Sequence, residues 1–366
     1  MEELRKVSPF KVSQEETPHG LLTRLEAEFG VSHREAIPFD GKSLLASQVY
    51  HDNGLYDVVY SVVDTDGGVE NFAEENGATP TLFLSPSGKA FVSIDPLDPD
   101  KNLEISIPLF GRSAIEMPKG ERPSAGKFAG VYGNFAVLHD DFSNSWDDGK
   151  PDKIQLIEFK DEKIKKKHNK KIPLPKNSCL RISPEGMHLL ARKGDGWLHR
   201  LIDAKASVVR EREIAAGPEH FWHMLSASFE GASHILCESD GRVSIAEVQP
   251  DGSTKSIPLL DIGDEFYNVW PPVEIAKDTH VLRFTTEFSN GWLTVRGTQL
   301  VEFFYGKGVK GFKNLLTGEL LEMGCERLVI SGIARTQESS YALILYPMPE
   351  PGAKSQELLV LNRRGV

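Results

Sequence analysis

The residues best suited to chemistry are two short clusters, His220-Phe221-Trp222-His223 and Glu265-Phe266-Tyr267-Asn268-Val269-Trp270. Aromatic rings with polar tips bury much area for little loss of rotamer freedom, so such clusters make good contact surfaces. We therefore expect a partner-binding patch at His220, Phe221, Trp222, His223, Phe266, Tyr267 and Trp270. The competing reading is that some of these rings fill gaps inside the fold. His220 and His223 have HxxH spacing but no third ligand close by, so no metal site is assigned.

Charge singles out two further stretches. Asp140, Asp141, Asn144, Asp147 and Asp148 crowd oxygen atoms as a Ca²⁺ loop would. They lack the EF-hand order and its closing Glu, so a solvated acidic loop is the favoured reading. The run Lys163-Ile164-Lys165-Lys166-Lys167-His168-Asn169-Lys170-Lys171 is strongly basic. Lys165, Lys166, Lys167, Lys170 and Lys171 are candidates for an anion or acidic-partner patch, against the duller reading of charges guarding a sheet edge.

Other searches for chemistry end in absences. No HExxH, CxxC, P-loop or GxSxG pattern occurs, so no catalytic residue and no cofactor is assigned. Gly306-Lys307-Gly308-Val309-Lys310-Gly311 matches GxGxxG in form. A dinucleotide site needs a helix next and a βαβ setting, and Thr317-Gly318 breaks the segment that follows, so this is an inter-strand loop.

Composition narrows the function classes. The net charge is −11, which argues against a general affinity for nucleic acid and suits a basic partner. Three scattered cysteines, Cys179, Cys237 and Cys325, fit a reducing compartment better than a disulfide framework. The N-terminal stretch has no apolar signal region, and no run is long enough for a membrane helix, so a cytoplasmic protein without membrane contact is expected.

The elements that must position these residues are mostly strands. HGLLTRLEAEFG (19–30) is the exception: Leu21, Leu22, Leu25 and Phe29 share a helical face and Gly30 is a natural cap, so a short helix is expected there. Residues 1–33 would form an N-terminal extension and 34–366 the main domain. From about residue 34 onward, short apolar runs alternate with turns, Asn53-Gly54 being a strong hairpin signal.

Two stretches repeat at a constant offset: Ser183-Pro184-Glu185-Gly186 with Ser228-Phe229-Glu230-Gly231, and Asp195-Gly196 with Asp240-Gly241. Unit starts near 43, 81, 128, 179, 224, 272 and 327 point to seven units, or six if the first two merge. Ile-Pro pairs at Ile37-Pro38, Ile107-Pro108, Ile172-Pro173 and Ile257-Pro258 mark edge strands, read as the outermost ones, because proline cannot donate to a ladder. The last unit stops at its third strand, and the segment near Ile37 looks like the missing outer strand, so ring closure through the N-terminus is expected.

This pattern resembles a WD-repeat-like β-propeller after residue 33, in architecture only. The Gly-His and Trp-Asp signatures are missing, and Trp146-Asp147 lies in the polar loop. The fold expected is an all-β closed β-propeller, seven-bladed in preference to six, with a short N-terminal helix. The resemblance implies display of a funnel face to a protein or peptide. The rival functions are a propeller hydrolase or lactonase with a site in the funnel, and a small-molecule or glycan binder.

Overall fold

The computed structural model describes residues 5–74, 80–94, 103–106, 115–117, 127–140, 153–160, 163–164, 170–173, 178–214, 221–325, 327–348 and 355–365. Among the described residues every regular element is a β-strand, and the strands form seven antiparallel sheets. The local reasons are plain in the sequence. Runs rich in β-branched and aromatic residues, such as Tyr56–Val63 and Ser340–Pro347, suit a pleated backbone. Between them sit turns that need positive φ, as at Asp240 (51°) and Gly241 (79°).

The sheets are counted here in chain order, the seventh being the one completed by the N-terminus. Their innermost strands are Val31–Phe39, Pro80–Leu84, Lys127–Tyr132, Ser178–Ser183, Phe221–Ser226, the broken pair Phe266–Val269 and Val273–Ala276, and Leu328–Arg335. Most successive innermost strands pack side by side, and Leu328–Arg335 packs back on Val31–Phe39. The fifth and sixth are joined where His223 Nε2 meets the Val269 carbonyl at 2.8 Å. A ring of radially set sheets is a β-propeller.

The core lies between sheets. In the seventh sheet Leu343, Leu345, Leu359 and Leu361 face Trp292 and Phe304 of the sixth. The alternate residues Ala342, Ile344, Leu358 and Val360 face Leu45 and Val59 of the first. Successive side chains of a strand point to opposite faces, so a sheet held between two neighbours must be apolar on both.

The first, fourth, fifth, sixth and seventh sheets each have at least three strands with every side chain described. These are five blades, against the seven or six expected. The second and third sheets are interrupted by segments outside the described residues, so their packing is traced only in part.

The expected N-terminal helix is absent. Residues 19–30 hold the strand Gly20–Glu26, which pairs with Glu357–Arg364 on one side and Lys11–Thr17 on the other. Leu22 packs toward the sixth sheet and Leu25 toward the first, so the strand is buried on both faces. That two-sided burial removes the polar alternation of a strand, and the leftover leucine spacing mimics a helical stripe.

Closure also differs in detail. Residues 11–26 of the expected N-terminal extension supply two strands to the seventh sheet, whose other members are Leu328–Arg335, Ser340–Pro347 and Glu357–Arg364. The segment holding Ile37-Pro38 is the innermost strand of the first sheet, not an outer strand of the last, so that sheet starts at 31 rather than near 43. Ile172-Pro173 and Ile257-Pro258 do lie on outer strands, while Ile107-Pro108 falls outside the described residues. A sheet has two edges, and proline marks an edge without saying which.

Candidate functional site on the crossover face

One end of the ring carries the crossovers from each outer strand to the next innermost strand. In a meander the turns between second and third strands emerge at that same end. Phe29 lies in the crossover from seventh to first sheet, Leu55 in the second-to-third turn of the first, and Met348 in that of the seventh. Phe288 occupies the equivalent turn of the sixth sheet, and Tyr267 begins its innermost strand. These five are among the most exposed large apolar residues, Tyr267 at 65% and Phe288 at 63%. They fall on three neighbouring sheets, the sixth, seventh and first. Exposed carboxylates stand among them: Glu28, Asp52, Glu265 and Glu287.

The expected contact residues separate in the structure. Tyr267 is open to solvent, whereas Phe266 is 3% exposed and stacks on Phe284 with centroids 4.5 Å apart. Neighbours on a strand point to opposite sides, so they could not both have been surface contacts. Trp270 is half-buried under the Arg283 guanidinium, 4.2 Å from the ring centroid. His223 bridges two sheets through Val269. The strand Phe221–Ser226 places Phe221 and Trp222 at the innermost position of the fifth sheet, and His220 lies outside the described residues.

The basic patch is traced only in part. Lys170 and Lys171 sit on the outer strand Lys170–Pro173, and Lys165, Lys166 and Lys167 lie outside the described residues. Asp140 ends the strand Phe135–Asp140, and the rest of the acidic loop is likewise outside. Among the described residues no group of three or more His, Cys, Asp or Glu could hold a metal ion. The GxGxxG match spans a turn between Gln299–Tyr305 and Gly311–Asn314, where Lys307 Nζ pairs with the Asp264 carboxylate at 2.7 Å and 2.8 Å.

Sequence reasoning missed a polar relay at the opposite end of the ring. Ser183 Oγ lies 2.9 Å from His188 Nε2, and His188 Nδ1 lies 3.0 Å from His199 Nε2. Arg212 Nε donates to His199 Nδ1 at 3.1 Å, and its other nitrogens reach the Gln249 and Ser228 carbonyls and Ser233 Oγ. Phe229 covers both imidazoles and the guanidinium. The repeated serine turns at 183 and 228 were the available signal, and both contribute to this relay.

The donor from Arg212 decides the proton order. His199 accepts on Nδ1, so its Nε2 carries the hydrogen and donates to His188 Nδ1. His188 then donates from Nε2 to Ser183 Oγ. Burial lowers the His188 pKa to about 4, and burial with Arg212 and His188 lowers that of His199 to about 3. Ser183 therefore faces a proton donor rather than a base, the reverse of what an activated nucleophile needs.

Near that end of the ring's interior, Arg181 of the fourth sheet pairs with Glu274 of the sixth, reaching past the intervening fifth. It also donates to His280 Nε2 at 3.0 Å. Burial lowers the pKa of this histidine.

No family model and no curated protein matches this chain. Among solved structures, the chain is similar to the β-propeller domain of the Trilobed protease from Pyrococcus furiosus. The TM-score is 0.53 at 9% identity, covering 92% of this chain and 96% of that one. It is also similar to a functionally unknown protein from Desulfotomaculum acetoxidans, with a TM-score of 0.44 at 14% identity, covering 81% and 90%. The first of these supports the propeller fold and carries nothing about activity. No helix among the described residues is long and apolar enough to cross a membrane.

Proposed function

We propose that this propeller is a non-catalytic scaffold that holds a protein or peptide partner on its crossover face, over the sixth, seventh and first sheets. The observation that carries the reading is the gathering of Tyr267, Phe288, Met348, Phe29 and Leu55 at one end of three adjacent sheets. Isolated exposed apolar residues need no explanation, whereas five at one end of three adjacent sheets favour an interaction site. The four exposed carboxylates at the same end, beside the cation Lys307 over the Phe288 ring, favour a partner segment that alternates apolar anchors with Lys or Arg. Tyr267 and Trp270 remain in the patch, and His220, Phe221 and Trp222 are kept as proposed contacts.

The test is capture of a partner by the wild-type chain and by Tyr267→Ala/Phe288→Ala. The reading requires a partner held by the first and lost by the second, with release by raised salt. Equal capture by both overturns it. A hydrolase or lactonase reading gains nothing from Ser183 and His188, because His188 Nε2 carries a hydrogen toward the serine and has no lone pair there to take its proton.

A further inference from the structure

We propose that the outer edge of the seventh sheet docks a second copy of this chain, the two Lys11–Thr17 strands pairing antiparallel about a two-fold axis at Ser13. This surface lies on the flank of the ring, apart from the crossover face where the partner is proposed to bind.

A strand at the edge of a sheet offers unpaired N–H and C=O groups, and proteins usually blunt such edges. Most described outer strands here are blunted. Thr254–Asp261 carries Pro258 and a register shift, and the pairing of Val208–Ile214 has a shift of its own. Lys170–Pro173 ends in proline, and Arg5–Lys6, Ile115–Met117 and Leu320–Glu322 are two or three residues long. Lys11–Thr17 differs: it has seven residues, no proline and an unbroken register with Gly20–Glu26. Lys11 through Glu16 are all exposed, and among the described residues no strand pairs on their outer side.

The turn at Pro18-His19 fixes which groups point outward. It closes on the Thr17–Gly20 pair, whose members exchange both main-chain bonds, and such pairs alternate along an antiparallel ladder. Thr17, Glu15, Ser13 and Lys11 therefore spend their N–H and C=O groups on Gly20–Glu26. Those of Val12, Gln14 and Glu16 face away from the sheet. A second strand can join only by setting even-numbered residues opposite one another. Of the two-fold registers that do so, just one places Lys11 opposite an acid. With Ser13 on the axis, Val12 faces Gln14 of the second copy and Lys11 faces its Glu15.

Charge favours that register. Arg24 sits between Glu357 at 3.4 Å and Glu15 at 3.8 Å, so sign alternates across three strands. Lys11 of the second copy extends the row past Glu15, and the symmetric pair forms on the other side of the axis. The Glu15 and Lys11 side chains are 64% and 83% exposed, which leaves both free to meet a partner. Charges on an edge commonly repel another strand. In this register they attract instead. The net charge of −11 sets two copies against each other at long range, so the pairing needs salt that screens it.

The experiment is sedimentation velocity over a range of protein concentrations at physiological salt. It compares the wild type, Lys11→Glu, Glu15→Lys and the double exchange Lys11→Glu/Glu15→Lys. A pairing this short is weak, so a concentration-dependent monomer–dimer equilibrium is expected. Each single reversal should weaken it about 10-fold or more, because attractions on both sides of the axis become repulsions. The double exchange should restore it. It keeps the intrachain changes of both singles, so recovery requires the exchanged charges to meet across the axis. In a Cys325→Ser background, Ser13→Cys should cross-link on mild oxidation, since non-hydrogen-bonded partners have Cα atoms about 4.5 Å apart, whereas Val12→Cys should not. A chain that stays monomeric at every concentration overturns the proposal and leaves the edge to a strand from another protein. So does a dimer that either reversal leaves intact, that the double exchange fails to restore, or that Tyr267→Ala/Phe288→Ala abolishes. That last variant leaves the edge strand untouched, so the two docking surfaces stand or fall separately.

Discussion

Arg283 lies over Trp270, its guanidinium carbon 4.2 Å from the ring centroid, and reaches the Ile330 carbonyl where the sixth and seventh sheets meet. The two residues are joined a second time through the backbone, since the Trp270 amide donates to the Arg283 carbonyl at 3.0 Å. Trp270 directly follows the innermost strand Phe266–Val269, and the next strand, Thr279–Thr286, carries the cation. The contact links an exposed patch on the crossover face to the interior of the ring.

Tyr267 and Phe266 should behave oppositely on truncation. Tyr267→Ala and Phe288→Ala should leave the denaturant midpoint within about 0.5 kcal/mol of wild type, as for surface changes generally. Phe266→Ala should lose about 3–5 kcal/mol, because the ring is buried and stacked on Phe284. Denaturant unfolding of the three variants checks this, and equal losses would remove Tyr267 from the surface patch.

Gly20→Val should disrupt ring closure. Gly20 has φ of 134°, and a Cβ there would fall 2.0 Å from the Asn362 carbonyl oxygen. Backbone cannot yield as a flexible side chain would, and glycine alone tolerates that conformation. We expect a loss of several kcal/mol, together with faster hydrogen exchange in both Gly20–Glu26 and Glu357–Arg364. Unchanged exchange in the C-terminal strand would show that the N-terminal strand is dispensable.

Stability should fall as the pH is lowered from about 6.5. His188 is lowered to about 4, and His199 and His33 to about 3, from an ordinary value of 6.5. Below pH 6.5 the unfolded chain binds protons at these positions while the folded chain does not, so the folded state loses ground. At pH 5 each histidine that stays neutral removes about 2 kcal/mol. Melting temperature against pH, in wild type and His199→Phe, measures the slope; an equal slope in both would show that His199 titrates normally.

Only Cys325 should react with a thiol reagent in the folded protein. Cys179 and Cys237 are buried, and burial pushes the Cys179 thiol up to about 12 and raises Cys237 as well. Cys325 is half-exposed. Labelling at pH 8 should modify one thiol quickly and the others only in denaturant. Fast modification of all three would contradict the packing between the fourth and fifth sheets.

The residues recovered from sequence were those whose signal is local. The serine turns at 183 and 228, and the turns at Asp195 and Asp240, carry their backbone preference in one or two residues, and each joins strands as expected. The relay from Ser183 to Arg212 could not be read that way. Its four members sit on four strands of the fourth sheet and meet only when those strands pair in register, and Arg212 is then anchored by Ser228 and Ser233 of the fifth sheet.

The sequence by itself determined that this chain is a ring of short antiparallel sheets, because apolar runs and turns at regular spacing leave few other ways to bury them. Tertiary structure alone decided that Leu22 and Leu25 belong to a strand, since their partners lie more than 300 residues away at the other terminus. It also decided that Phe266 is core while Tyr267 is surface. It alone brought Arg283 onto Trp270 and the Ile330 carbonyl. No local pattern encodes such meetings; they follow from which sheets become neighbours when the ring closes.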